Sequence, residues 1–595
     1  MNGERVNRER KATVLFVSHR ERQCGVYQFG LNIAGVLRTS QAFNFVPVAC
    51  SSAEDLRSEV REHAPSAIIY NYHPITMGWL GKGIVKLRNV PNIGIIHEVH
   101  QSEADAATNK FFDYFIAPDP TLLLRNPLVF KTGRFVPRFE GRSPLPAGPV
   151  IGSFGFGTPG KGFDRLVLRV QEEYDEATIR LHIPFATFGD ADGAHARAIA
   201  EQCRSLVKKP GVRLVVDHDF MEDRQLLEFL SQNTLNAFLY DQNSGRGISS
   251  VIDYALAVRR PIAITRSNMF RHILHAEPSI CVEDRSLRDI AASGFEPLLP
   301  FSEDWSVANL LWDYERIVRM VLERKLAPRP SLVRRAVRKF IRLAKQTEKT
   351  PERWSPSTAS VIQEESAGDA PRNYAPTFEV RRYNRILDDS ARELYAPAIE
   401  FLSASVPEMI ARKIPRANIQ QAFVFDTVAR LYAKTGARRI LCVGSYEDTA
   451  SATLRKTGIR IEEIDPVLNY DLETFCTRPS TRRAGYDIVF STSVIEHVRQ
   501  DERFVALIGE LLAPGGTAVL TCDFNDAYKP GDPIPAEDFR FYTQRDLRTR
   551  LLPAMAGCRL VGEPAWECER PDFSFGGCQY TFATFVVRKE ILPEP

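Results

Sequence analysis

Short apolar runs rich in β-branched residues recur along the chain, and many are followed by apolar positions at helical spacing. Thr13–Ser18 (TVLFVS) is continuous rather than alternating, which predicts a strand buried on both faces of a parallel sheet. Gly25 then opens a stretch with Val26, Phe29, Leu31, Ile33, Ala34 and Leu37 near a 3.6-residue period, so strand, turn and helix follow one another. Further strands are predicted at 45–49, 67–70, 93–96 and 114–117. A second series begins at 150–154 and continues at 179–183, 213–217, 236–240 and 261–265, with helical patterns between several of them. Alternation of this kind predicts an α/β fold with doubly wound parallel sheets.

The pattern stops at 345–377, KQTEKTPERWSPSTASVIQEESAGDAPRNYAPT, where neither period survives and Pro351, Pro356, Pro371 and Pro376 interrupt. Such a stretch cannot bury enough apolar surface to offset its ordering entropy, and it is too long for an ordinary loop, so a flexible linker is expected. Beyond it the pattern resumes. Helical spacing holds through 421–433, strands are predicted at 440–443, 459–464, 486–490 and 518–521, and a helix at 502–512. The last segment, 580–587, reads as antiparallel strand.

Composition changes this picture little. Of 595 residues, 44% are hydrophobic and 25% charged, ordinary for a soluble globular protein, and the net charge of +3 gives no reason to expect a nucleic-acid partner. No apolar run reaches the roughly 18 residues of a membrane span, and the start, MNGERVNRER, lacks the apolar stretch of a signal peptide. The ten cysteines are scattered, with no C-x-x-C, which fits reduced thiols in a cytoplasm. A basic amphipathic stretch at 329–344 either packs its Leu332, Val333, Val337 and Ile341 stripe as a terminal helix or lies at the inner face of a membrane.

Candidate chemistry gathers after predicted strands, where open α/β sheets bind ligands. In the first series these are His19-Arg20, Asn71-Tyr72-His73 and His97-Glu98-Val99-His100, with His97 the leading catalytic candidate. In the second, GSFGFGTPGKG contains Gly157 and Lys161, and NSGRG precedes Ser249, Ser250 and Asp253 on a predicted helix. Glycines let backbone approach a phosphate, and a lysine, an arginine (Arg246) or a helix N-terminus supplies positive potential. Asp190-Ala191-Asp192 spells a metal-binding DxD, but lies in the turn-like GDADG.

This ordering resembles the retaining GT-B glycosyltransferases of the large group 1 (GT4-like) family, over roughly residues 13–344. The resemblance implies two Rossmann-like domains, an acceptor-side domain at 1–145 and a nucleotide-sugar domain at 146–344, and metal-independent transfer. It implies nucleotide-sugar contacts from Gly25, Gly157, Lys161, Arg246, Ser249 and Asp253, with Lys161 on the diphosphate and Asp253 at the family's second carboxylate. The first carboxylate of that family falls here on Gly245.

After the linker, YDIVFSTSVIEHV…LLAPGGTAVLTCD and FYTQRDL resemble a class I S-adenosylmethionine-dependent methyltransferase, a Rossmann-like domain at 378–595. The resemblance implies S-adenosylmethionine held by Gly444, Ser445, Glu447, Asp465, Ser491 and Thr492, with His497 as candidate base. Cys442 stands where that family prefers an acid, and Gly444 alone remains of its glycines. Together the resemblances imply a cytoplasmic bifunctional transferase with a nucleotide-sugar donor and a glycan or lipid-linked glycan acceptor, in surface polysaccharide biosynthesis. Two alternatives stay open: one module is a nucleotide-binding scaffold, or the methyltransferase acts on a small molecule or a protein.

Overall fold

The computed structural model of the protein describes residues 11–20, 25–81, 90–141, 143–185, 190, 192–243, 247–326, 374–375 and 382–591. The chain divides into two units, Met1–Ala327 and Pro328–Pro595. The basic stretch 329–344, Arg246 and nearly all of 345–377 lie outside the described residues.

The first unit holds two parallel sheets. One is built from β1 (Thr13–Ser18), β2 (Asn44–Ala49), β3 (Ala67–Asn71), β4 (Asn92–Ile95), β5 (Tyr114–Ala117) and β6 (Val129–Lys131), in the order β2-β1-β3-β4-β5-β6. Helix α1 (Gly25–Leu37) follows β1. Helix α2 (Ala53–His63) follows β2, with Ser52 capping it by accepting the Asp55 N–H at 3.1 Å. Val14 and Phe16 pack on one face of the sheet and Leu15 and Val17 on the other, the alternation expected of a doubly covered strand.

The second sheet has β7 (Val150–Phe154), β8 (Ala177–His182), β9 (Val212–Asp217), β10 (Leu235–Phe238) and β11 (Ile262–Ile264), in the order β11-β10-β7-β8-β9. Its helices include α3 (Phe163–Glu173), α4 (Ala194–Leu206), α5 (Asp223–Ser231) and α6 (Val251–Ala257). The 20-residue α7 (Val307–Leu326) returns to the first sheet and buries Leu310, Tyr314, Ile317 and Val318 beside Phe16 and Ile69.

The second unit is one mixed sheet of β12 (Ile440–Val443), β13 (Glu462–Ile464), β14 (Tyr486–Thr492), β15 (Leu512–Phe524), β16 (Cys558–Leu560), β17 (Phe573–Phe575) and β18 (Cys578–Lys589). Its order is β13-β12-β14-β15-β18-β16, with β17 also on β18. The first four strands are parallel, and β18 runs antiparallel between β15 and β16. Helices α8 (Asn418–Thr435), α9 (Thr449–Lys456) and α10 (Asp501–Leu511) cover it. Tyr374 is tied to this unit, donating its hydroxyl to the buried Asp426 at 2.6 Å. Among the described residues no helix is long and apolar enough to cross a membrane.

Candidate functional site

The strand order of each sheet reverses once: between β1 and β3, between β7 and β10, and between β12 and β14. Crevices open at such reversals beyond the C-terminal strand ends, and the candidate residues of the sequence fall around all three.

At the first, His97 follows β4 and its Nε2 lies 2.8 Å from Asn71 Oδ1. The Asn71 amide nitrogen donates to the Val26 carbonyl at 2.7 Å, which fixes Oδ1 as acceptor and places the imidazole proton on Nε2. Burial, with the charge of Arg134 and the neighbouring His73 and His19, pushes the His97 pKa down to about 3. His97 is thus a neutral imidazole whose Nδ1 keeps its lone pair, suited to accepting a hydrogen bond and too weakly basic to retain a proton near pH 7.

The loop before α6 reaches this point. A Cβ on Gly247 would stand 2.9 Å from the His97 carbonyl oxygen, so position 247 accepts only glycine. Lys161 lies with Nζ 4.0 Å from the centre of the Tyr240 ring, at the reversal of the second sheet. Ser249 is buried and precedes α6 rather than sitting in its first turn, since the helix begins at Val251.

Local packing bears on three of the expected donor residues of this unit. Asp253 does not present an open carboxylate: both oxygens meet Arg134, at 3.0 Å from Nε and 2.5 Å from Nη2, and both side chains are 7% exposed. Gly157 meets a packing demand of its own: a Cβ there would lie 2.7 Å from Ala196 Cα at the start of α4. Gly25 faces open space and carries no steric demand. Asp190 of the DxD triplet is buried and accepts the His195 and Ala196 N–H groups at 2.9 and 3.0 Å, the work of a helix start.

In the second unit the strand ends surround a cavity of about 1110 Å³. Gly444 turns the chain out of β12 at φ +82°, and a Cβ would stand 2.5 Å from a Val494 methyl. Asp465 closes β13, and its carboxylate is oriented by the N–H groups of Val467 at 2.7 Å and Tyr446 at 3.3 Å. Thr492 lines the cavity, its buried hydroxyl facing the Asp448 carboxyl. Glu447 also lines it, at φ +58° and 3.4 Å from Arg412. Ser491 points elsewhere: its Oγ donates to the Val443 carbonyl at 2.8 Å between strands. Ser445 is buried, and its Oγ has no partner.

His497 lies 2.9 Å from Asp538 through Nδ1, which also faces the Glu537 carbonyl at 3.3 Å, so Nδ1 carries a proton. The Asp538 hydrogen bond raises the pKa to about 9 against the opposing effect of burial. The expected base is therefore protonated at neutral pH and acts as a donor. Because the folded value exceeds the unfolded one of about 6.5, the pair stabilises fully below that pH and loses its contribution as pH rises through about 9. An NMR titration is expected to place the His497 midpoint near 9 and to find it lower by a unit or more in Asp538→Asn; an unmoved midpoint would remove Asp538 as the cause.

No protein-family model and no curated protein matches the chain. Solved structures with related folds include HepE of Anabaena, in complex with UDP and glucose, at 13% identity and a TM-score of 0.39, covering 52% of this chain and 100% of that one. A glycosyltransferase from Rickettsia africae has 11% identity and a TM-score of 0.40, over 54% and 100% of the two chains. The trehalose-6-phosphate synthase OtsA has 9% identity and a TM-score of 0.37, over 52% and 99%. Likeness at this level concerns fold alone.

Proposed function

We propose that the chain is a two-enzyme fusion. The first unit transfers a sugar from a nucleotide-sugar donor to a glycan acceptor, and the second methylates a hydroxyl of that or a related glycan from S-adenosylmethionine, in surface polysaccharide assembly. The observation carrying this reading is the second unit's cavity, where Gly444, Asp465 and Thr492 converge on the reversal of strand order. Its residues fit the cofactor: Asp465, at the end of β13, holds a carboxylate set to accept two ribose hydroxyls, and Gly444 and Thr492 lie beside it on the cavity wall. Bound S-adenosylmethionine supplies an electrophilic methyl group, and the protein's part is alignment and proton handling. In the first unit the reading rests on neutral His97 offering Nδ1 to a sugar hydroxyl, and on Lys161, with Arg246, holding the diphosphate.

Calorimetry on the full chain tests both halves, with S-adenosylhomocysteine and with a panel of nucleotide sugars. Asp465→Ala is expected to weaken S-adenosylhomocysteine binding about tenfold or more, roughly 1.4 kcal/mol, without changing nucleotide-sugar binding. If neither ligand binds at millimolar concentration, the fusion reading fails. The engagement of Asp253 by Arg134 favours one narrower alternative, a first unit that binds donor as a scaffold without turnover. Binding of a nucleotide sugar with no transfer or hydrolysis would select it.

A further inference from the structure

The second unit's cavity has another end, and the cofactor residues do not use it. Glu496 is wholly buried; its Oε1 accepts the Ser493 hydroxyl at 2.6 Å, and its carboxyl also pairs with that of Asp523. Asp523, near the end of β15, is 5% exposed, faces Glu496 and Asp538, and is hydrogen-bonded to the Tyr580 hydroxyl. Asp538 is 9% exposed; Oδ1 meets His497, and Oδ2 has no partner. Asp523, Asp538, His497 and Tyr580 line the cavity, with the rings of Phe573 and Phe582 beside them.

Three carboxyl groups thus share one nearby cation, His497. The other cations of the cavity wall serve elsewhere: Arg412 meets Glu447, Arg503 meets Glu473 and Glu510, and Lys413 acts on Asp448. Burial, with the neighbouring carboxylates, raises the pKa values of Glu496 and Asp523. A metal is not the natural substitute. Among the described residues these carboxylates do not bring their oxygens within ligating distance of a common point; the grouping that does is Glu59, Glu62 and His63 on α2. A hydroxyl brings one donor and no charge. A primary ammonium brings positive charge and three N–H donors in a small volume, matching the buried, unpartnered Asp538 Oδ2 and the Asp523 carboxyl on the cavity wall, and the aromatic rings favour a cation.

We propose that this end of the cavity is a subsite for a primary ammonium group, held between Asp523 and Asp538 with Glu496 behind them, and that the acceptor is an amino sugar or a glycan bearing one. The ammonium subsite stands on the carboxylates alone; calling its occupant the acceptor rests on the methyl-transfer reading.

Calorimetry of the full chain at neutral pH, with glucosamine, glucose and N-acetylglucosamine, tests it. Glucosamine is expected to bind about tenfold or more tighter than the other two. Asp523→Asn and Asp538→Asn, each with a melting curve to verify folding, are expected to erase most of that preference. Glucosamine binding no tighter than glucose, or a preference intact in both variants, overturns the proposal. S-adenosylhomocysteine is titrated separately. Its failure to bind sinks the methyltransferase reading and leaves the amine result standing, whereas its binding without an amine preference overturns the subsite alone.

Discussion

Replacing Asp253 by alanine is expected to destabilise the first unit by about 3–5 kcal/mol, because it leaves the Arg134 guanidinium buried without its counter-ion. Arg134 follows β6 in the first sheet, and Asp253 lies on α6 beside the second. Their side chains meet through two hydrogen bonds, of 3.0 and 2.5 Å, and Arg134 Nη1 donates to the Pro118 carbonyl at 2.7 Å. At 7% exposure for each partner, water cannot replace what is lost. The cost belongs to the broken pair and not to the pair's net worth, so the double variant Arg134→Met/Asp253→Leu is expected to recover most of it. Chemical denaturation of wild type, both single variants and the double variant measures this cycle. Single-variant losses below about 1 kcal/mol would show that the pair behaves like a surface bridge. The same set separates structure from ligand binding: if Asp253 also contacts a nucleotide, the double variant regains stability without regaining donor affinity.

Strands were the most legible part of the sequence. TVLFVS, YFIA and ILCV are short, apolar and β-branched or aromatic, and each occupies the expected residues, as β1, β5 and β12. Buried parallel strands announce themselves because both faces need apolar side chains. Lengths at sheet edges were less legible. The predicted strand 459–464 shortens to Glu462–Ile464 at an edge, and 518–521 extends to Leu512–Phe524, where β18 pairs along 517–524 and Leu512 pairs with Tyr486 of β14. Helix α7 was missed, since its apolar stripe says nothing of which sheet it will cover. Among site residues, Asp465 was legible as an acid closing a parallel strand. The same rule picks out Asp523 near the end of β15, but the LTCD run reads as strand interior. Glu496 stood beside His497 without being singled out, because its burial depends on long-range packing. The use of Asp253 was not legible, because its partner Arg134 lies 119 positions away.

Gly162→Ala is expected to cost about 2–5 kcal/mol or to prevent the first unit from accumulating. Gly162 closes the GTPGKG turn at φ +65° and caps α3. A non-glycine residue in this left-handed region costs about 1–2 kcal/mol by itself. Here a Cβ would also stand 1.7 Å from the Leu239 carbonyl oxygen, which is backbone and cannot rotate away. The turn must lift from β10, and overpacking of this kind adds about 1–3 kcal/mol. That shift carries Lys161 with it, because Asp241 donates its N–H to the Gly160 carbonyl at 2.9 Å and Lys161 rests over Tyr240. Gly148→Ala is the control, since a Cβ there meets nothing within 4 Å. Thermal unfolding of both variants checks the difference: a clear fall in Tm is expected for Gly162→Ala and little change for Gly148→Ala. Equal behaviour of the two would mean that the turn before α3 yields without cost, and Lys161 would then lack the rigid seat that holding a diphosphate requires.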